Sequence, residues 1–324
     1  MACRASATRR YEMTAVAHSG RAGMLKRMRP SLLQISIRSW FSVFCLLALA
    51  SAAAHSQPHS VTLTPAAVTA GSPELIRVQA SGALVIEGEW LGRKLVFFRG
   101  RGNSAWFALA GVDVEAPVGP STLTIIAQTA SGTANLNQAV EIHPAHYRTG
   151  TLTVEPKFVE PDPEALKQIE ADKQLKDQVF AASASEPLWT SNFRAPVTTP
   201  PTSSFGVRRV FNGKLASIHK GMDFRARPGT PVRAGNSGVV VLARPLYYEG
   251  NCVVIDHGLG LFTISMHLSR IDVKESQHVA TGELLGLSGA TGRVTGPHLH
   301  WAVRWQGAYL DPAKLLSLNL SAVY

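Results

Sequence analysis

The sequence predicts an all-β protein: a β-sandwich, a short connecting helix and a second β-rich domain. Three observations predict it. Residues 58–145 break into short runs rich in β-branched and aromatic residues, punctuated by Gly, Pro and Ser. One stretch, residues 161–185, carries a helix cap and a partial apolar stripe. From about residue 205, strand-like runs return with frequent glycines, and no long amphipathic helix precedes Pro312-Ala313-Lys314-Leu315-Leu316.

At 324 residues the chain is long enough for two or three domains. Its composition, 45% hydrophobic and 17% charged, excludes collagen-like and disordered classes. The net charge of +10 suggests nucleic acid, but the charge is concentrated at the start. Residues 1–57 hold eight basic residues against Glu12 alone; the rest hold 24 basic and 21 acidic residues. The body of the protein is near neutral, so no nucleic-acid partner is expected.

Residues 1–56 read as a signal peptide. A basic stretch ends at Arg38, an apolar run follows from Trp40 to Ala54, and small residues close it at Ala52-Ala53-Ala54. The run is shorter than a membrane span, so contact with the membrane arises only if this segment stays uncleaved. Cys45 lies inside the run and does not suit a lipoprotein site. Met24 or Met28 would give a leader of more usual length than Met1. The expected fate of the protein is export. Cys252 is then the one cysteine left, so no internal disulfide forms and a monomer must be held by its core.

Within residues 58–148, "VTLTP", "ELIRVQA", "ALVIEGEWLG", "KLVFFRG", "SAWFALAGVDV", "STLTIIAQ" and "NQAVEIHP" read as strands of a β-sandwich of immunoglobulin-like size. The Cys-Trp-Cys mark of true immunoglobulin domains is absent. His143 and His146 have no ligand types around them and read as surface residues. Residues 149–204 read as a connecting helix and linker. Asp162 caps a helix starting at Pro163; Leu166, Ile169, Leu175, Val179 and Phe180 form its stripe, and Asp172 and Lys176 have i,i+4 spacing. "RAPVTTPPTSS" then reads as a linker or the entry to the next domain, residues 205–318.

Six of the eleven histidines fall in the last domain: His219, His257, His267, His278, His298 and His300. On an extended chain His219 and Asp223 face the same way, and so do His298 and His300. If the two segments are neighbours, one His, one Asp and one or two further His converge. Three such ligands with an open fourth position suit a catalytic zinc; a closed structural site would more often use thiolates.

The segments "HKGMDF", "PVRAGNSGVVV", "GNCVVIDHGLGLFTISMHLS", "ATGELLGLSGATGRVTGPHLHW" and "GAYLDP" resemble the lysostaphin-type (LytM-like, M23 family) zinc metallopeptidases of peptidoglycan. The resemblance covers about Phe205 to Pro312. Residues 58–145 more loosely resemble the immunoglobulin-like domain found ahead of some such peptidases. The resemblance implies that His219, Asp223 and His300 bind Zn2+, and that His298 and His267 are unligated active-site histidines. It implies an exported zinc endopeptidase acting on peptide cross-links of peptidoglycan. No His-Glu-x-x-His motif occurs, so no helix glutamate is on hand as base, and a neutral histidine can take the water's proton. Either His298 or His267 can do so, the other steadying the oxyanion.

Other features have plainer readings. Gly289, Gly292 and Gly296 suit tight turns beside a cleft, and loops such as "RPLYYEGN" shape its pockets. Arg208 and Arg209 read as a solvated pair, the alternative being the cleft entrance; His257 reads as structural and His278 as a surface residue. Ser265 stands where the family often has Tyr. The rival reading is a non-catalytic LytM-like regulator that binds peptidoglycan or activates an amidase; such proteins usually lack ligands. Serine-hydrolase and phosphate-loop motifs are absent.

Overall fold

The structure, a computed structural model, describes residues 60–100, 102, 105–152, 161–211, 214–321 and 323. The expected leader, with Met24, Met28, Cys3 and Cys45, lies outside the described residues.

Alternating short apolar runs give two four-stranded sheets in the N-terminal region. β1 (Ser60–Thr64), β2 (Pro73–Gln79), β6 (Trp106–Gly111) and β5 (Phe98–Arg99) form one, in that spatial order. The other runs β4 (Arg93–Val96), β3 (Ala83–Trp90), β7 (Gly119–Thr129) and β8 (Gly132–Ile142). Ile76, Val78, Phe107, Trp90, Leu123 and Ile125 share one buried cluster from the two sheets. "KLVFFRG", expected as one strand, is two: buried Phe97 stands between β4 and β5, which belong to different sheets.

β9 (Thr149–Leu152) leaves this region and pairs in parallel with β11 (Arg208–Phe211), which also pairs with β12 (Lys214–Ile218). α1 (Pro163–Ala181) starts as expected, with the Asp162 side chain accepting from Ala165 N at 2.8 Å. Leu175, Val179 and Phe180 of its stripe pack against Leu242, Leu246, Val254 and Phe262, whereas Leu166 is exposed. The expected Asp172–Lys176 pair is replaced. Asp172 accepts from Tyr247 N, and Lys176 pairs with Glu249, because docking brings tertiary partners within reach of both.

The stretch read as a linker or the entry to the next domain is packed and hydrogen-bonded against the residues that follow it. Trp189, Phe193 and Val197 are buried, Leu188 N donates to His257 O at 2.8 Å, and Arg194 N donates to Gly235 O at 2.9 Å. β10 (Pro201–Ser203) then pairs with β13 (Met222–Phe224). Pro and Thr favour extended backbone, which an edge strand uses.

The main sheet runs β10, β13, β20 (Leu299–Trp305), β17 (Leu261–Ile271), β16 (Gly250–Asp256), β15 (Gly238–Leu246) and β18 (His278–Val279). β14 (Pro231–Arg233) pairs with β19 (Leu284–Ser288), which also pairs with β17; β21 (Ala308–Leu310) pairs with β20. α2 (Pro312–Ser317) closes the chain, capped by Asp311. The described residues form one compact unit. Tyr147 Oη donates to Ala70 O at 2.7 Å while its ring meets Phe205 edge-on, and Asp311 N donates to Gly71 O at 2.7 Å. Among the described residues, no helix is long and apolar enough to cross a membrane.

Candidate metal centre

Strand register brings the expected ligands together. Asp223 on β13 lies opposite His300 on β20, and His219 follows β12. Leu299 points the other way and is fully buried, so His298 and His300 share the opposite face. His219 Nε2 lies 3.0 Å from both Asp223 Oδ1 and His300 Nδ1, and His300 Nδ1 lies 2.8 Å from Asp223 Oδ1. All three residues are buried.

This donor set fits a metal ion. His219 Nδ1 donates to Ser204 O at 2.8 Å, which leaves its Nε2 lone pair facing the other two atoms. Three acceptor-type atoms so close cannot all be satisfied by the protons that two rings carry; a shared cation satisfies them together. Zinc bonds of about 2.0–2.1 Å place tetrahedral ligand atoms roughly 3.3 Å apart, close to the spacing here. Burial opposes charge on the Asp223 carboxyl, but the neighbouring His219 and His300 rings outweigh it and hold it well below the usual carboxylate range.

Gly221 allows this closeness. A Cβ there would come within 2.4 Å of His300 Nε2 and 2.8 Å of Trp301 O. Gly221 and the Ser204 carbonyl were not singled out from sequence. A glycine inside "HKGMDF" was a visible signal for the first; a backbone carbonyl offers none.

His267 and His298 stand beside the ligands. Their ring centroids are 5.0 Å apart, and His267 is 6.1 Å from His300. His267 Nδ1 donates to Thr291 O at 2.9 Å, and His298 Nδ1 donates to Gly296 O at 2.8 Å. Each neutral ring therefore keeps a bare Nε2. Burial, then the neighbouring His300 and His298, push the His267 pKa down to about 3. The five residues open on a cleft of about 860 Å³, whose lining also includes Tyr248, Glu249, Arg293 and Lys220.

The remaining candidates fall away from the cleft. His257 is fully buried, Nδ1 on Ser237 O at 2.7 Å and Nε2 on Thr263 Oγ1 at 2.8 Å; burial lowers its pKa to about 4. His143, His146, His278 and Arg208 are exposed and do not line the cleft. The Arg209 side chain lies outside the described residues. Ser265 is buried and also off the lining, so this departure does not touch the cleft directly. Cys252 is buried beneath α1, where burial pushes its thiol pKa up.

A β-rich domain thus carries a buried His-Asp-His cradle that could hold a metal ion, with two further histidines beside it in an open cleft. Residues 217–312 match the model of peptidase family M23. Peptidoglycan DD-endopeptidase ShyA of Vibrio cholerae is 46% identical over 114 residues, covering 35% of this chain and 26% of that protein. DD-carboxypeptidase/endopeptidase Mpg of Neisseria meningitidis is 38% identical over 124 residues, covering 38% of this chain and 29% of that protein. The matched region thus spans less than a third of these relatives. A Pseudomonas aeruginosa crystal structure described as a peptidase M23 is similar over 76% of this chain and 94% of its own, at 27% identity and a TM-score of 0.58. That likeness reaches well beyond the family domain.

Proposed function

We propose that this protein is an exported zinc-dependent endopeptidase that hydrolyses peptide cross-links of peptidoglycan in the bacterial cell envelope. The observation that carries this reading is the convergence of His219 Nε2, Asp223 Oδ1 and His300 Nδ1 beside His267 and His298 in an open cleft. The names of the relatives, DD-endopeptidase and DD-carboxypeptidase/endopeptidase, supply the substrate class.

His219, Asp223 and His300 would hold the zinc. A bound zinc supplies Lewis acidity toward the scissile carbonyl and the attacking water. One of His267 and His298 takes the water's proton at its bare Nε2 and returns it to the leaving amine. The other ring stands beside the position of the developing oxyanion and helps to shape the site around it. Thr291 O and Gly296 O fix the two rings by accepting from their Nδ1 atoms. The N-terminal sheets, fastened to the family domain through Tyr147 and Asp311, position it on the wall.

The test is digestion of isolated peptidoglycan by purified protein whose zinc content has been assayed, with and without chelator. Stoichiometric zinc and chelator-sensitive release of cross-link products are expected. Absence of metal, or cleavage that survives both chelation and His300→Ala, would overturn the reading.

A further inference from the structure

Two side chains hold α1 against the active-site cleft. Asp172, 5% exposed, accepts from Tyr247 N at 2.6 Å through Oδ2, while Gln168 Nε2 donates to its Oδ1 at 2.7 Å. One turn further on, Lys176 pairs with Glu249 Oε1. Tyr247 and Glu249 belong to the turn between β15 and β16, and Tyr248 and Glu249 line the cleft.

The same turn grips His267. Glu249 O accepts from His267 N at 2.9 Å. His267 has φ +65°, a left-handed conformation that a non-glycine residue holds only when its surroundings over-determine it. On its other side Thr291 O accepts from His267 Nδ1, and Thr291 Oγ1 accepts from Asn251 N at 2.9 Å. Arg293 N donates to Tyr248 O at 2.8 Å. The turn and the 291–293 loop are therefore fastened to each other and to His267, with α1 as their outer support. Packing alone does not require this. Leu175, Val179 and Phe180 already cover the sheet, and a buried carboxylate on a backbone N–H adds direction rather than apolar area.

We propose that Asp172 and Lys176 are positioning residues that act through the Tyr247–Glu249 turn to set the His267 ring in the cleft. The interdomain helix is then part of the catalytic apparatus. The proposal rests on the peptidase reading above for its kinetic consequence, but not for its structural one.

The experiment uses the full chain loaded with zinc and a purified cross-linked muropeptide dimer. Asp172→Ala is expected to lower kcat by about 10- to 100-fold with zinc content unchanged, the scale of effect of a misplaced catalytic group. Amide exchange at Tyr247 and His267 should quicken. Asp172→Asn, whose side-chain oxygen can still accept from Tyr247 N, should restore most of kcat. Lys176→Met keeps the aliphatic stem and provides a milder variant if Asp172→Ala does not fold; a loss of several-fold is expected. In a His267→Ala background either substitution should have little further effect, because residues acting through one group are not additive.

Unchanged exchange and kcat in both single variants would overturn the proposal, as would an equal loss with and without His267. A wild-type protein that cleaves nothing, yet shows the expected exchange changes, would refute the peptidase reading and leave the positioning relationship standing.

Discussion

His300 Nδ1 and Asp223 Oδ1 lie 2.8 Å apart across the paired strands β20 and β13. A zinc held by these atoms and His219 Nε2, as proposed, would link binding to folding, since the unfolded chain offers no such site. Zinc at a thousand times its dissociation constant would stabilise the fold by about 4 kcal/mol. Chelator should therefore lower the melting temperature of the wild-type protein and leave His300→Ala, or Asp223→Ala, unmoved. Equal responses to chelator in wild type and variants would place the metal elsewhere.

Substitution of the flanking histidines should separate binding from chemistry. His298→Ala removes a ring that lies beside the proposed ligands His219, Asp223 and His300, and His267→Ala does the same. Each should retain zinc by elemental assay while kcat falls by about 10²–10⁴-fold, the usual contribution of a positioned acid or base. Loss of zinc from His298→Ala with retention in His300→Ala would show that the two roles are exchanged.

The convergence of Asp223 with the His298-Leu299-His300 segment was legible because strand alternation is local, whereas the choice of His300 over His298 as a ligand came only from the family resemblance. Asp223 and His300 each sit in a short motif whose spacing fixes a face, and pairing β13 with β20 brings those faces into register. The supports were not legible. Ser204 O, Thr291 O and Glu249 O are backbone atoms whose partners depend on the fold, not on residue type. The Asp172–Lys176 spacing shows the same limit from the other side. An i,i+4 pair is worth only about 0.2–0.5 kcal/mol, so docked partners displaced it. "KLVFFRG" carries no turn residue before its closing Gly100, so its change of sheet at Phe97 left no mark on the pattern.

Gly292 offers a test of the loop that supports His267. It has φ +74°, and a Cβ there would stand 2.3 Å from Gly250 N and 2.6 Å from Tyr248 O. Gly292→Ala combines backbone strain with a clash against backbone, so a loss of about 1–3 kcal/mol is expected. Denaturant unfolding should show it as a lower midpoint at unchanged slope. Activity should fall further than stability explains, because Thr291 O moves with the loop; a variant as stable and as active as wild type would mean that the loop is not held by this contact.

Glu74 predicts a pH dependence of stability unrelated to the metal. It is fully buried on β2, and burial raises its pKa from 4.5 to about 8, against the opposing pull of the Ser72 hydroxyl and Lys314. Ser72 Oγ donates to Glu74 Oε1 at 2.5 Å, while Oε2 has no hydrogen-bond partner among the described residues to offset a buried charge. Between pH 4.5 and about 8 the folded state keeps a proton that the unfolded state releases. The unfolded chain binds fewer protons in that window, so stability is complete below it and falls as pH rises through it, by at most about 1.4 kcal/mol per pH unit. Glu74→Gln preserves the shape and can still accept from Ser72. Thermal unfolding across this range should show a decline in wild type that the variant lacks, with the gap widening up to about pH 8. Parallel profiles for the two proteins would show that Glu74 is ionised in the folded state.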